Sequence, residues 1–563
     1  MKRVLLAAAV LVAAVAVLAF FTVPPRRLQL QAAADGTVPG ILHVHSNRSD
    51  GRSSPDEIAA AAARAGLKFV VFADHGDATR APDPPTYRSG VLCLDGVEIS
   101  TNQGHYVAIG LPAAPYPLAG DARDVVEDVK RLGGFGIAAH PDSPNPQLAW
   151  REWTAPFDGI ELFNPDTSWR LLESERGAAA KGELVTALVD YAFRPAETIA
   201  GHLRESRAIA SWQALAARRP VVAIAGVDAH AKLLMSRADD SPYALPFFGY
   251  DVLFALMSVR VSVENPLTGN AAADAAALLD GIRAGHLYTV VDGLATPPSF
   301  DFVAANGQDT VREGDAVQAG GAVSLHVRSN APASYTTIVH RGTGVLASAR
   351  DAGDWTVHAS AEPAVYWVEI AAPHQPSPIT WLRSNPIYVR GPAAKPDTPA
   401  PRAAQTVTTL FDGTSADDWA IEHDPASLAA VEVAGSPSGN ELRLRYGLGG
   451  GTPASQFVAL THKTPNGIAA ATRLAFTVRA EKPARISVQL RAKTYYRWQR
   501  SIYVDSTARE QAVRLDDVTP VGVTPPPAPP LDDIIGVMFV VDVTNSKPGT
   551  SARLWLANVR FER

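Results

Sequence analysis

Ile41-Leu42-His43-Val44-His45-Ser46-Asn47-Arg48-Ser49-Asp50-Gly51 begins as a strand and ends as a turn. One residue separates His43 from His45, and successive strand side chains point to opposite faces, so both imidazoles leave the same face. Ser49-Asp50-Gly51 then supplies turn formers and a carboxylate. A strand that ends in paired imidazoles beside an acid carries chemistry at its tip.

Six further segments repeat the arrangement. Phe69–His75, Val91–Ile99, His105–Leu111, Phe135–His140, Gly159–Phe163 and Val221–Val227 read as strands. Several are continuously apolar, which suits parallel strands covered on both faces. Helices with readable ends lie between them. Ser54-Pro55-Asp56-Glu57 gives a cap, Pro at the first helical position and Glu three residues after the cap, and Gly66 stops the helix. A second helix is predicted over Ala122–Leu132, with Val125, Val126, Val129 and Leu132 on one face. Strands alternating with helices over residues 36–295 predict an α/β barrel or a doubly wound sheet.

The titratable residues fall at strand ends. His75 ends the second strand, Glu98 closes the third, His105 opens the fourth, and His140 ends the fifth before Pro141. Asp228-Ala229-His230 follows the last. The carboxyl ends of strands are where α/β folds assemble active sites. His202, in a helical stretch, and His286, before Leu287-Tyr288-Thr289, read as structural.

Composition narrows the chemistry. The 563 residues carry a net charge of 51 − 57 = −6, which disfavours a nucleic-acid partner. Gly and Pro together are 42 + 44 = 86 residues, too few for a low-complexity or collagenous chain. Fourteen histidines against a single cysteine, Cys93, exclude an intrachain disulfide and a thiolate cluster. A metal site here is built from imidazole and carboxylate.

Lys2 and Arg3 precede an apolar run over residues 4–23, long enough at 1.5 Å per residue to cross the roughly 30 Å of a bilayer core. Pro24-Pro25 ends it. Residues 1–35 are therefore expected to be a membrane anchor, with a signal cleaved near Ala32-Ala33-Ala34 as the alternative, and the bulk of the chain to be extracytoplasmic.

Beyond residue 295 the pattern becomes all-β. Residues 296–391 read as a β-sandwich with strands at Ala322–Val327, Tyr335–His340 and Tyr366–Ile370. A Pro-rich linker over 392–405 leads to a second all-β unit over 406–563, with strands near Glu441–Tyr446, Leu474–Ala480, Ile486–Arg491 and Ile535–Val543 and a Pro-rich loop at 520–530. Trp419 and Tyr495-Tyr496-Arg497-Trp498-Gln499-Arg500 are candidates for stacking on a glycan, with alternation between core and surface as the plainer reading. In strand pattern and length this unit resembles galactose-binding-like jelly rolls of the carbohydrate-binding type.

His43-Val44-His45-Ser46, Ser49-Asp50-Gly51, Ala73-Asp74-His75, Gly96-Val97-Glu98, Ala139-His140-Pro141 and Asp228-Ala229-His230, in that order, resemble the motifs of the PHP (polymerase and histidinol phosphatase) superfamily. Phe157-Asp158-Gly159-Ile160-Glu161-Leu162-Phe163-Asn164 is similar to a recurrent segment of the same superfamily, and Ser384-Asn385-Pro386-Ile387-Tyr388-Val389 resembles its exported, carbaryl-hydrolase-like branch. The resemblance implies a distorted (β/α)7 barrel, followed here by the two β-sandwich domains, and a centre of two or three divalent ions, Zn²⁺, Mn²⁺ or Fe²⁺.

By that resemblance one ion would take His43, His45, Glu98 and Asp228. Glu98 would bridge to a second, which also takes His140 and, as a further candidate, His105. Asp50, His75 and His230 would hold a third. Clustered ions would acidify a water for attack, while Asp228 or His230 protonates the leaving group. Arg48 and Arg80 are candidate clamps for an anionic small-molecule substrate. The expected activity is a phosphoesterase. An amide, ester or carbamate hydrolase and a non-catalytic surface-binding protein are the alternatives.

Overall fold

The computed structural model describes residues 2–32, 36–232, 248–307, 309–391, 405–437, 439–452, 455–522 and 528–563. The expected cleavage point at residues 32–34, the 392–405 linker and the 520–530 loop fall wholly or partly outside them. The apolar N-terminal run is one helix, α1 (Lys2–Thr22), with almost all of its side chains exposed.

Seven strands follow: β1 (Thr37–Val44), β2 (Phe69–Phe72), β3 (Val91–Thr101), β4 (Gly104–Ile109), β5 (Phe135–Ala138), β6 (Gly159–Phe163) and β7 (Val222–Ala225). Each pairs with the next in chain order. Past the end of β7 the chain returns to β1: Val227 N–H donates to Leu42 O (3.1 Å), Ala229 N–H to His43 O (3.3 Å) and His45 N–H to Ala229 O (3.0 Å). The seven strands thus form a closed ring of hydrogen bonds.

The ring is not all parallel, as the apolar runs had suggested. β4 is antiparallel to both β3 and β5, whereas the other consecutive pairs are parallel. The reason is the connection between β3 and β4. Only Asn102 and Gln103 separate Thr101 from Gly104, and a parallel crossover needs a dozen residues or more.

The helices form where the chain signals them. α2 (Pro55–Arg64) has the full capping box, with Glu57 N–H donating to Ser54 Oγ and Ser54 N–H to Glu57 Oε2. Such a cap is worth about 0.5–2 kcal/mol. α3 (Ala122–Arg131) buries Val125, Val126 and Val129. α4 (Pro165–Ser174) starts at Asn164, whose side chain accepts from Thr167 N–H, and α5 (Ala178–Phe193) follows closely.

Around this α/β part the molecule is multidomain and strongly β-rich, with several sheets. The chain separates into two compact units with boundaries unlike the expected ones. The first takes residues 1–77, 81–112 and 129–395, so the ring and the expected 296–391 sandwich belong together. Their sheet is continuous. β8 (Ser258–Ser262) pairs with the start of β1 and with β9 (Leu287–Val290), which in turn pairs with Ile379–Ser384. Tyr288 and Val290 of β9 lie in the core built by Phe300, Phe302, Leu325, Val327 and Trp381, so the boundary at 295 is bridged by both hydrogen bonds and packing. Asn385 of the exported-branch motif is structural, holding Ala223 N–H and O and Leu287 O through its side-chain amide.

The second unit holds residues 78–80, 113–128 and 396–563. Two six-stranded sheets enclose a core that includes Trp419, Phe476, Trp498 and Phe539. Fully burying a large apolar side chain contributes roughly 1.5–3 kcal/mol, which is why these two tryptophans are core and not a sugar platform. Tyr495 and Tyr496 are the exposed rings of that motif. Segment 113–128 belongs here because it answers a buried cation: the Arg485 side chain, 1% exposed, pairs with Asp124 at 2.9 Å and Asp128 at 2.8 Å.

Candidate metal centre

Every strand of the ring contributes to one cluster. β1 carries His43 and His45 follows it, His75 follows β2, Glu98 lies in β3 and His105 in β4. His140 follows β5, Glu161 lies in β6, and Asp228 and His230 follow β7. Asp50 reaches the same place from the loop after β1. That loop is moulded by Asp74, a buried carboxylate that accepts from Ser46 N–H, Ser46 Oγ–H and Ser49 Oγ–H, each at 2.7 Å.

Glu98 stands at the centre. Its Oε2 lies 3.4 Å from His43 Nε2, 3.2 Å from His45 Nε2 and 3.2 Å from His75 Nδ1. Its Oε1 lies 2.8 Å from His105 Nδ1 and 2.9 Å from His140 Nε2. Asp228 Oδ1 is 3.5 Å from His43 Nε2, 3.3 Å from His45 Nε2 and 3.5 Å from His230 Nδ1. Asp50 Oδ2 sits 3.1 Å from His230 Nε2 and 3.6 Å from His75 Nε2.

Three groups of donor atoms lie within 4.8 Å of one another: His43, His45, Glu98 and Asp228; His45, Asp50, His75 and His230; and His75, Glu98 and His105. The first matches the set that the resemblance implies. The second gains His45, whose Nδ1 lies 3.4 Å from Asp50 Oδ1. In the third His75 joins Glu98 and His105, while His140 stands beside it through its bond to Glu98.

The donor set suits divalent ions. His43 Nε2, His45 Nε2 and His140 Nδ1 are buried without a hydrogen-bond partner, a state that polar atoms in a protein interior rarely keep. Two ligands bound to one ion at about 2.1 Å stand roughly 3.4 Å apart at tetrahedral angles. The separations of 3.3–3.5 Å around His43, His45 and Asp228 have that size.

Electrostatics point the same way. Burial alone would strip the proton from His43, yet Glu161, Glu98 and Asp228 outweigh it and hold its pKa well above the usual value. His45 and His140 are raised by the same balance of burial against carboxylates. Burial works against ionised Glu98 and Asp228, but the surrounding imidazoles keep both well below the usual carboxylate range. The cluster is an anionic well that calls for cations, which protons or metal ions can supply.

The backbone is strained where these candidate ligands sit. His43 (φ 63°), His140 (φ 27°) and Asp228 (φ 49°) are left-handed without being glycine. Such conformations cost of order 1–3 kcal/mol each and persist where the surroundings impose them, typically at functional sites.

Glu161 is the member to which sequence reasoning gave no role. Its Oε1 lies 2.6 Å from His43 Nδ1, and Oε2 accepts from His140 N–H (2.9 Å) and Asn164 Nδ2 (3.1 Å). A Cβ on Gly226 would fall 1.8 Å from Glu161 Oε1, so this glycine leaves room for the carboxylate. Tyr250 was missed as well. Its hydroxyl donates to His45 O at 2.9 Å, holding the backbone just past β1.

Two expected roles change. Arg48, expected as a substrate clamp, pairs with Asp83 and, at 3.3 Å, with Asp95, so two carboxylates of the protein already meet its charge. Arg80 groups with the second unit. Arg170 of α4 is instead within electrostatic reach of Asp228, held by Asp166. His202 and His286 pair with Glu183 and Asp315, in keeping with structural roles.

No family model matches the chain. Over 137 residues it is 28% identical to an uncharacterized protein of Methanocaldococcus jannaschii, covering 22% of this chain and 80% of that protein. Among solved structures it is similar to a family 11 carbohydrate-binding module of a Clostridium thermocellum cellulosomal cellulase, at TM-score 0.23 and 14% identity over 29% of this chain and 95% of the module. The mannan-recognising module TmCBM27 gives a TM-score of 0.20 and 10% identity over 29% of this chain and 99% of the module.

Proposed function

We propose that the chain is an exported metal-dependent hydrolase of the PHP type, with the seven-strand ring as its distorted barrel, α1 as its membrane anchor and a phosphoester as its substrate. The observation that carries this reading is the convergence of His43, His45, Glu98 and Asp228 on one point, with His43 Nε2 and His45 Nε2 unpartnered.

Divalent ions held by these residues would supply a water acidified toward neutrality and positive charge for the developing phosphoryl oxyanion. The chain does the positioning. Glu161 accepts the Nδ1 proton of His43 in a hydrogen bond, which leaves Nε2 as the lone-pair donor. His230 donates from Nδ1 to the backbone oxygen of Asp228 at 2.9 Å, so its Nε2 faces Asp50 as a base. Asp228, 12% exposed at its side chain, is held ionised by the surrounding imidazoles and so would act as a ligand and not as the proton donor. Access is from one side. His43, His45, Glu98 and His140 are buried, while His75, Asp50 and His230 reach solvent. Arg170 would meet the anionic end of a substrate entering there.

The test is turnover of p-nitrophenyl phosphates, cyclic phosphates and naphthyl carbamates by the full chain reconstituted with Mn²⁺ or Zn²⁺. Phosphate release lost in His140→Ala and Asp228→Asn is expected. Carbamate cleavage without phosphate release would move the reading to an amide or carbamate hydrolase. Less than one bound ion per chain after reconstitution would overturn it.

A further inference from the structure

α5 carries an apolar face that nothing in the described chain covers. Val185, Leu188 and Phe193 are 56%, 44% and 57% exposed. At 100° per residue they fall within about 140° of arc, a single helix face. Ala178, Gly182 and Ala192 are exposed within or beside the same arc, and Lys181 is its one charge. Water-facing aliphatic and aromatic side chains so concentrated on one helix mark an interaction surface.

The neighbour of this helix says what covers it. α1 packs against α5. Thr22 Oγ1, in the last turn of α1, lies 2.7 Å from Asp190 Oδ1, and Asp190 is buried. The chain leaving α1 is fixed as well: Arg194 donates to Pro24 O, Arg27 N–H to Glu197 Oε1 (3.4 Å) and Arg27 Nη1 to Ala255 O (3.1 Å). A helix bound in this way to an anchor cannot stand far from the bilayer that the anchor enters. Phe20 and Phe21, 83% and 78% exposed, lie at the same end of α1.

We propose that α5 lies on the bilayer surface, with its Val185, Leu188 and Phe193 face among the lipid chains beside the anchor. The inference rests on the reading of α1 as an uncleaved anchor. Lys181, whose ammonium donates to Glu173 O at 3.2 Å, would swing it to the headgroups while its stem stays apolar. The arrangement is that of an interfacial amphipathic helix. α5 follows α4, and α4 starts at Asn164, which donates to Glu161 beside the ligands, so the lipid-facing helix and the candidate centre share a short stretch of chain.

Fluorescence quenching tests it. In full-length protein with Cys93→Ala, a single environment-sensitive label is placed through Leu188→Cys or Phe193→Cys. Leu11→Cys in α1 and Thr507→Cys in the second unit serve as references. In proteoliposomes containing acyl-chain-brominated lipid, positions 188 and 193 are expected to lose emission and shift to the blue, as position 11 does, while position 507 does neither. Quenching at 11 with none at 188 and 193 would overturn the proposal and leave the anchor intact. No quenching at 11 would remove the anchor and the proposal with it. Shielding of 188 from aqueous iodide that depends on chain density, without lipid quenching, would identify a second protein as the occupant and also overturn it.

Discussion

His43 faces Glu161 across 2.6 Å between Nδ1 and Oε1, inside a site where both side chains are almost wholly buried. A carboxylate on the far nitrogen fixes the tautomer of a ligating imidazole and raises its basicity. Glu161 is itself held by His140 N–H and Asn164.

Glu161→Gln should therefore lower divalent-metal affinity by about 10–100-fold. Titration calorimetry against Mn²⁺ and Zn²⁺ measures it. Unchanged affinity in a variant with an unchanged circular-dichroism spectrum would show that Glu161 does not orient His43.

Metal binding should release protons. The carboxylates hold His43, His45 and His140 protonated above the ordinary imidazole range, and a ligand must be deprotonated to bind. Affinity is thus expected to weaken as pH falls from 8 to 6. Calorimetry in buffers of different ionisation enthalpy should find a net proton release. The metal-free chain has the opposite dependence. A histidine whose folded pKa is raised contributes its full stability below the unfolded value and loses it as pH rises through the folded one. Chelator-treated protein should melt at lower temperature at pH 9 than at pH 6.

Glu313 gives a second pH test, remote from the ligands. Burial pushes its pKa up to about 8. An acid raised in the folded state keeps its proton where the unfolded chain has lost it. Stability then falls by about 1.4 kcal/mol per pH unit between the ordinary carboxylate value and about 8. Glu313→Gln should raise the melting temperature at pH 8.5 and change it little at pH 4. Equal effects at both values would show that the carboxyl is not held neutral.

In the second unit, Arg485→Met should cost about 3–5 kcal/mol, because Asp128 would be left as an uncompensated buried charge, while Asp124 keeps its pairing with Arg500. Denaturant unfolding followed by tryptophan fluorescence measures it, since Trp419 and Trp498 report on that core. Adding Asp128→Asn to Arg485→Met removes that charge, and the double variant should recover part of the loss.

Much of the candidate centre was legible because its residues sit at strand ends, where apolar runs stop at histidine or acid. Glu161 was legible only in part. Six of the seven strands had an assigned member, and β6, with a carboxylate at an inward position, had none. The antiparallel insertion of β4 was readable from the two-residue link Asn102-Gln103, but strand-by-strand hydropathy does not see connection length. The pairing of Arg48 was not legible because its two partners, Asp83 and Asp95, come from other parts of the chain. The 113–128 segment has no local mark of its place in the second unit. Its partner Arg485 is more than three hundred residues away, and contacts at that separation leave no periodic trace.

The seam between β7 and β1 has a further consequence. His43 and His45 stand on one side of it and Asp228 and His230 on the other, joined through the Val44–Ala229 bridge. The first and last strands of the ring must meet before these four residues face each other, and a pairing of such long range carries a large loop-closure entropy cost. A chain threaded unfolded across a membrane would therefore cross it with its histidines dispersed. On the proposed reading of an exported metal-dependent enzyme, it would acquire ions only in the compartment in which the ring closes, so its metal would be set by the supply there and not by the composition of the cytosol that made it.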